Sequence, residues 1–248
     1  PKDKGLIAAE KKLLKEHAAH LVGKFLTLMR AAKNKPLPSV LAKHPLEPEF
    51  RRQFEDVPVQ VFWRSGFFEQ LTIGDPGEGA PEDAEDSGYY EGGTFDIPAL
   101  IADLMSHPSA RFLQTLRLGL PMDPEDGEQN YDDVIKVLVK HPATPRLRNL
   151  YVGDIIPEQS EISWIDLGDL SKLWPKLPNL RTLTLRGGSM SLGKIDLPEL
   201  RELTIISGGL DKKSVAAIAS AKWPKLEKLE LWTGSTNWSD NDLTKNHN

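Results

Sequence analysis

The sequence predicts an α/β fold built by repetition, with short parallel strands on a concave face and helices or turns on a convex one. Three observations predict it. A leucine-x-x-leucine-x-leucine phrase, with conservative replacements, recurs along the chain. Stretches with helical spacing separate most of the copies, and prolines and glycines sit at the joints.

The phrase occurs as Phe68-EQ-Leu71-T-Ile73, Leu113-QT-Leu116-R-Leu118, Leu147-RN-Leu150-Y-Val152, Leu180-RT-Leu183-T-Leu185, Leu200-RE-Leu203-T-Ile205 and Leu226-EK-Leu229-E-Leu231. Successive starts lie 45, 34, 33, 20 and 26 residues apart. The alternating half of each copy predicts a strand whose Leu, Ile and Val side chains point into a stacked core while the residues between them point out. Helices are predicted over Ile97–Met105, Val134–Val139, Leu167–Trp174 and Val215–Ala221, with Asp96, Asp132 and Asp211 as N-caps and Pro108, Pro142, Pro175 and Pro224 as stops. The 20-residue unit that includes GGSMSLGKIDLPE is too short for a helix and predicts a turn or a single 3₁₀-like winding. Parallel strands joined by crossovers are strongly right-handed, so the units are expected to stack as a leucine-rich-repeat solenoid.

The ends differ from this interior. Residues 6–33 predict one long helix with Ile7, Leu14, Ala18, Leu21, Phe25 and Leu28 on one stripe, and a short second helix is expected over Pro48–Phe54. The expected domains are therefore a helical N-terminal cap at 1–56, the solenoid at 57–235, and a tail or the start of a further repeat at 236–248. An acidic insertion rich in Gly and Pro, residues 74–94, reads as a loop. The tail shows no C-terminal cap, which predicts a longer repeat array or self-association through an uncapped edge.

Composition narrows the function. With 31 Lys and Arg against 36 Asp and Glu, the net charge is −5, without the dense basic face of a general nucleic-acid binder. The unevenness, nine bases against three acids in residues 1–35 and seven acids without a base in 75–91, reads as a solvated helix face and a solvated loop. No cysteine is present, which excludes disulfides, thiolate nucleophiles and Cys-ligated metals. No apolar run approaches the ~18 residues of a membrane span, so a cytoplasmic location is expected.

The repeats LPNLRTLTL, LPELRELTI and WPKLEKLEL, with Trp63-Arg64-Ser65-Gly66-Phe67 leading into the first strand, resemble bacterial leucine-rich-repeat proteins that carry a short N-terminal companion domain. The resemblance spans roughly residues 57–235, and the companion domain's tyrosine-alanine-aspartate-tryptophan signature is missing. It implies a binding scaffold with no catalytic residues to transfer.

Gly188-x-x-x-x-Gly193-Lys194 spells most of a nucleotide-binding loop, but Ile195 stands where Ser or Thr would hold magnesium and no helix has room to follow. It reads as an inter-repeat turn. His17 and His20 lie one helical turn apart beside Glu16 with no third ligand, and read as packing residues. The run from Asp123 to Asp133 lacks the ligand spacing of an EF-hand and reads as an acidic loop. No metal, cofactor or catalytic set is expected, and the chain is read as a non-enzyme. The outward strand positions are more informative. Arg117, Tyr151, Thr184, Arg186, Ile206 and Trp232 combine aromatic, apolar and guanidinium groups on one expected face, the mix of a protein interface. The expectation is a non-catalytic module that binds a protein partner there. A second reading is the recognition portion of a larger enzyme or signalling protein.

Overall fold

In the computed structural model the described residues are 5, 8–9, 12–13, 16–17, 59–64, 67–74, 90–91, 94–122 and 127–234. Most of the acidic insertion, most of the expected N-terminal cap, the first four residues of the Asp123–Asp133 run and the tail fall outside them. Residues 5, 8, 9, 12, 13 and 16 are helical, with Lys12 and Glu16 3.8 Å apart.

Each leucine phrase forms a strand. In chain order the elements are β1 (Val59–Arg64), β2 (Phe67–Ile73), β3 (Tyr90–Glu91), β4 (Thr94–Phe95), α1 (Ile97–Ser106), β5 (Thr115–Leu118), β6 (Gln129–Asn130), α2 (Asp132–Lys140) and β7 (Asn149–Val152). There follow β8 (Ile165–Asp169), β9 (Thr182–Arg186), β10 (Ser189–Ser191), β11 (Glu202–Ile206), α3 (Lys212–Ala219) and β12 (Lys228–Trp232). The main sheet runs β1-β2-β5-β7-β9-β11-β12. From β2 onward the strands are parallel and equivalent leucines stand opposite one another, Leu71 against Leu116, Leu116 against Leu150, Leu150 against Leu183 and Leu183 against Leu203. Their side chains are at most 2% exposed, so each removes nearly all its apolar surface from water, worth roughly 1.5–3 kcal/mol per residue.

The expected leucine-rich-repeat solenoid with a helical cap is corrected by this architecture, a mixed α/β fold. Its seven-stranded sheet is mixed rather than parallel throughout. Only two residues join β1 to β2, too few for a crossover, and the pair runs antiparallel as Val59 opposite Ile73 through Arg64 opposite Phe67. Only three α-helices have defined bounds among the described residues. The fourth helix expected, over Leu167–Trp174, is instead β8 followed by a 3₁₀ turn at Trp174–Lys176. Its apolar pattern has period two, with Ile165 and Leu167 buried, and Gly168 at φ +67° and Pro175 both oppose a helix. The 20-residue unit makes β10 where a turn or a single winding was expected. These pieces form a second, parallel sheet in the order β10-β8-β6.

The helices that do form obey their local signals. The Asp96 carboxylate accepts from Ala99 N at 2.9 Å to open α1, and Asp211 accepts from Ser214 N at 2.7 Å to open α3. Asp132 is not the cap expected of it. It is the first residue of α2, and Asn130 Oδ1 accepts from its backbone N–H at 2.8 Å. Asp132 and Asp133 lie in the first turn, where the helix dipole favours negative charge. Helices α1 and α2 pack on each other, α2 packs on β8 and α3 on β10, so one layer of helices and short strands covers the inner face of the main sheet. No helix among the described residues is long and apolar enough to cross a membrane.

Candidate functional site

The outer face of the main sheet carries all six residues singled out by the sequence, and the strand register sorts them into two neighbouring rows. Arg117 stands opposite Tyr151, and Tyr151 opposite Thr184. Two positions further along the strands, Arg186 stands opposite Ile206 and Ile206 opposite Trp232. They alternate with the buried leucines because successive strand residues point to opposite faces.

The first row is organised by a buried carboxylate. Arg117 Nε donates to Asp154 Oδ2 at 2.6 Å, with the Asp154 side chain 2% exposed and that of Arg117 33%. The guanidinium also lies 4.8 Å from the centre of the Tyr151 ring, within cation–π range. Asp154 reaches this place because β7 is followed by Gly153, whose φ is +84°, and the backbone N–H groups of Gly153 and Asp154 both donate to Leu118 O. A Cβ on Gly153 would stand 1.9 Å from the Arg186 carbonyl oxygen, so only glycine fits there.

Beneath the strand ends lies Tyr131, fully buried at the start of α2. Its hydroxyl donates to the carbonyl oxygens of Gly119 and Leu118. Burial, and then the negative charge of Asp154, push its pKa well above the ordinary tyrosine value, so the phenol stays protonated. Asp154 and Tyr131 were missed by the sequence reading. The signal for the first was the glycine closing successive phrases, as Gly74, Gly119 and Gly153, followed in two cases by aspartate. Tyr131 carried no signal that distinguished it from a core aromatic.

The second row is more apolar. Arg186 Nη1 is out of solvent and has no hydrogen-bond partner among the described residues. Trp232 is 60% exposed, and its indole N–H donates to Glu230 Oε1 at 2.8 Å. That bond, and then Lys228, hold the Glu230 carboxyl below its usual range. Edge strand β12 also leaves Leu229 and Leu231 47% and 40% exposed, although the phrase predicts both to point inward to a core.

The remaining candidates are placed as follows. Lys194 is exposed after Gly193, Ile195 behind it is buried, and no helix follows, so the phosphate-loop lookalike has no helix N-terminus to offer an anion. His17 is exposed and its backbone N–H bonds Leu13 O, whereas His20 lies outside the described residues. Among the described residues no group of three or more His, Cys, Asp or Glu is arranged to hold a metal.

No family model matches the chain, and no curated protein is significantly similar to it. The fold is similar to the crystal structure of a Bacteroides fragilis protein determined as a structural-genomics target, with a TM-score of 0.54 and 29% sequence identity. The match covers 65% of this chain and 43% of that one, so this chain spans less than half the length of the protein it resembles.

Proposed function

We propose that the chain is a non-catalytic protein-binding module whose partner docks on the outer face of the main sheet. The observation that carries this reading is the two-row constellation itself. Arg117 is held on Tyr151 by a buried carboxylate, beside Arg186, Ile206 and a largely exposed Trp232. Trp, Tyr and Arg supply most of the energy at protein interfaces, and a preformed arrangement loses little side-chain entropy on binding. The likeness of the repeated phrases to bacterial leucine-rich-repeat scaffolds supports the same reading, as does a cytoplasmic setting for a chain without cysteine.

The partner surface that fits combines an apolar centre with carboxylates able to reach the two arginines. A second reading, the recognition portion of a larger enzyme or signalling protein, draws support from the greater length of the Bacteroides fragilis protein. Affinity capture from a bacterial lysate followed by mass spectrometry tests the main reading. The variant Tyr151→Ala/Trp232→Ala is expected to lose the captured partner, at about tenfold or greater weakening, with its circular dichroism unchanged. Capture that survives the double substitution places binding on another surface.

A further inference from the structure

A second surface, away from the strand rows, has the composition of a small-ligand site. Helices α1 and α2 are both followed by His-Pro. His107 precedes Pro108 and His141 precedes Pro142, 34 residues later, matching the 34-residue step between Leu113 and Leu147. Proline stops each helix and forces the histidine before it into extended backbone, with ψ 141° at His107 and ψ 130° at His141. A 3₁₀ turn then follows in each unit, Pro108–Phe112 and Thr144–Arg146, delivering Arg111 and Arg146. Stacking of the two units brings both histidines and both arginines to one cavity of about 580 Å³, with Phe67 and Met105 in its wall.

The side chains are positioned rather than loose. The His107 ring stacks on Phe68 with centroids 5.7 Å apart. His141 Nδ1 accepts from Ala143 N–H at 3.1 Å, which puts the proton of the neutral ring on Nε2, facing Ser106 Oγ at 3.0 Å. His141 therefore donates toward Ser106 and cannot take its proton, so the pair is not an activated nucleophile. Arg146 Nη1 lies 3.4 Å from the Arg111 carbonyl oxygen, and the Arg111 guanidinium lies 5.6 Å from the centre of the Phe112 ring. Neither arginine has a carboxylate partner among the described residues, and no acidic residue among them lines the cavity. Burial, with Arg146 adding repulsion, lowers the His141 pKa, as expected where positive charge lacks a counterion.

The next unit departs from this pattern. Trp174-Pro175 stands 33 residues beyond His141-Pro142, matching the step from Leu147 to Leu180. Trp174 is 2% exposed, and its indole N–H donates to Leu192 O at 2.6 Å, so an indole fills the place that imidazoles hold in the two preceding units.

We propose that this cavity binds a small organic anion, a phosphate or carboxylate on a compact apolar body. Arg111 and Arg146 engage the anionic group, and Phe67 and Met105 the apolar part. The volume is within the range of small-molecule sites, and paired guanidiniums match the geometry of both oxyanions. Calorimetric titration at low salt with phenyl phosphate, benzoate, inorganic phosphate and neutral benzyl alcohol tests this. At least one aromatic anion is expected to bind, at least about tenfold tighter than benzyl alcohol and inorganic phosphate, and the tighter of phenyl phosphate and benzoate identifies the anionic group. Arg111→Gln and Arg146→Gln, both at exposed positions, should each weaken it about tenfold, the loss of one charge-assisted hydrogen bond. Trp232→Ala should leave it unchanged. Equal binding of benzyl alcohol, unaltered binding by both arginine variants, or no binding of either aromatic anion up to about 10 mM overturns the proposal.

Discussion

The Arg117–Asp154 pair is asymmetric, because only the carboxylate is buried. Removing the guanidinium leaves a buried negative charge without it, a change that costs about 3–5 kcal/mol where the site is dry. Removing the carboxylate leaves a one-third exposed arginine that water can solvate, at about 1–2 kcal/mol. Urea denaturation is therefore expected to rank Arg117→Ala as the more destabilising change and Asp154→Asn as the milder. The reverse ranking would mean that other partners govern Asp154. From the sequence, Arg117 was readable as an outward strand residue because alternation is local. Its partner was not, because Asp154 lies 37 positions away and reaches Arg117 only through the register of β5 with β7 and the left-handed turn at Gly153.

Secondary structure followed local rules where capping and period agreed. For α1 and α3, both the aspartate cap and the apolar stripe were legible, and both helices form. Asp211→Ala is expected to cost about 1 kcal/mol by removing the bond to Ser214 N, whereas Asp132→Ala should cost no more than about 0.5 kcal/mol. Thermal unfolding of the two variants distinguishes a capping aspartate from one that only complements the helix dipole. Equal losses would refute the assignment of Asn130 as the side chain that supports the start of α2. The segment Leu167–Trp174 misled because a short apolar run fits either period, and a neighbouring strand decided it. Pairing with β6 and β10 satisfies the backbone groups of β8, and no isolated stretch of sequence can register that.

Across the whole molecule the core is continuous from β1 to β11 and thins at β12. Leu203 and Leu229 hold the same place in the phrase and stand opposite each other, yet Leu203 is 1% exposed and Leu229 47%. Leu203→Ala is expected to cost about 2–5 kcal/mol and Leu229→Ala less than about 1 kcal/mol, as chemical denaturation would measure. Comparable costs would mean that a further layer covers the inner face of β12. The same edge presents Trp232, so the outer end of the sheet combines the weakest packing with the most exposed aromatic of the proposed binding face. The sequence by itself determined the six phrases, the strands they form, three helices and which residues share the outer face, because alternation, helical spacing and capping are short-range. Only the tertiary structure decided that the sheet is mixed, that β8 replaces a helix and β10 a turn, that Asp154 lies under Arg117, and that two His-Pro turns meet in one cavity. Each of these depends on which backbone edge or side chain stands beside another after distant segments pack, and such proximity leaves no periodic trace along the chain.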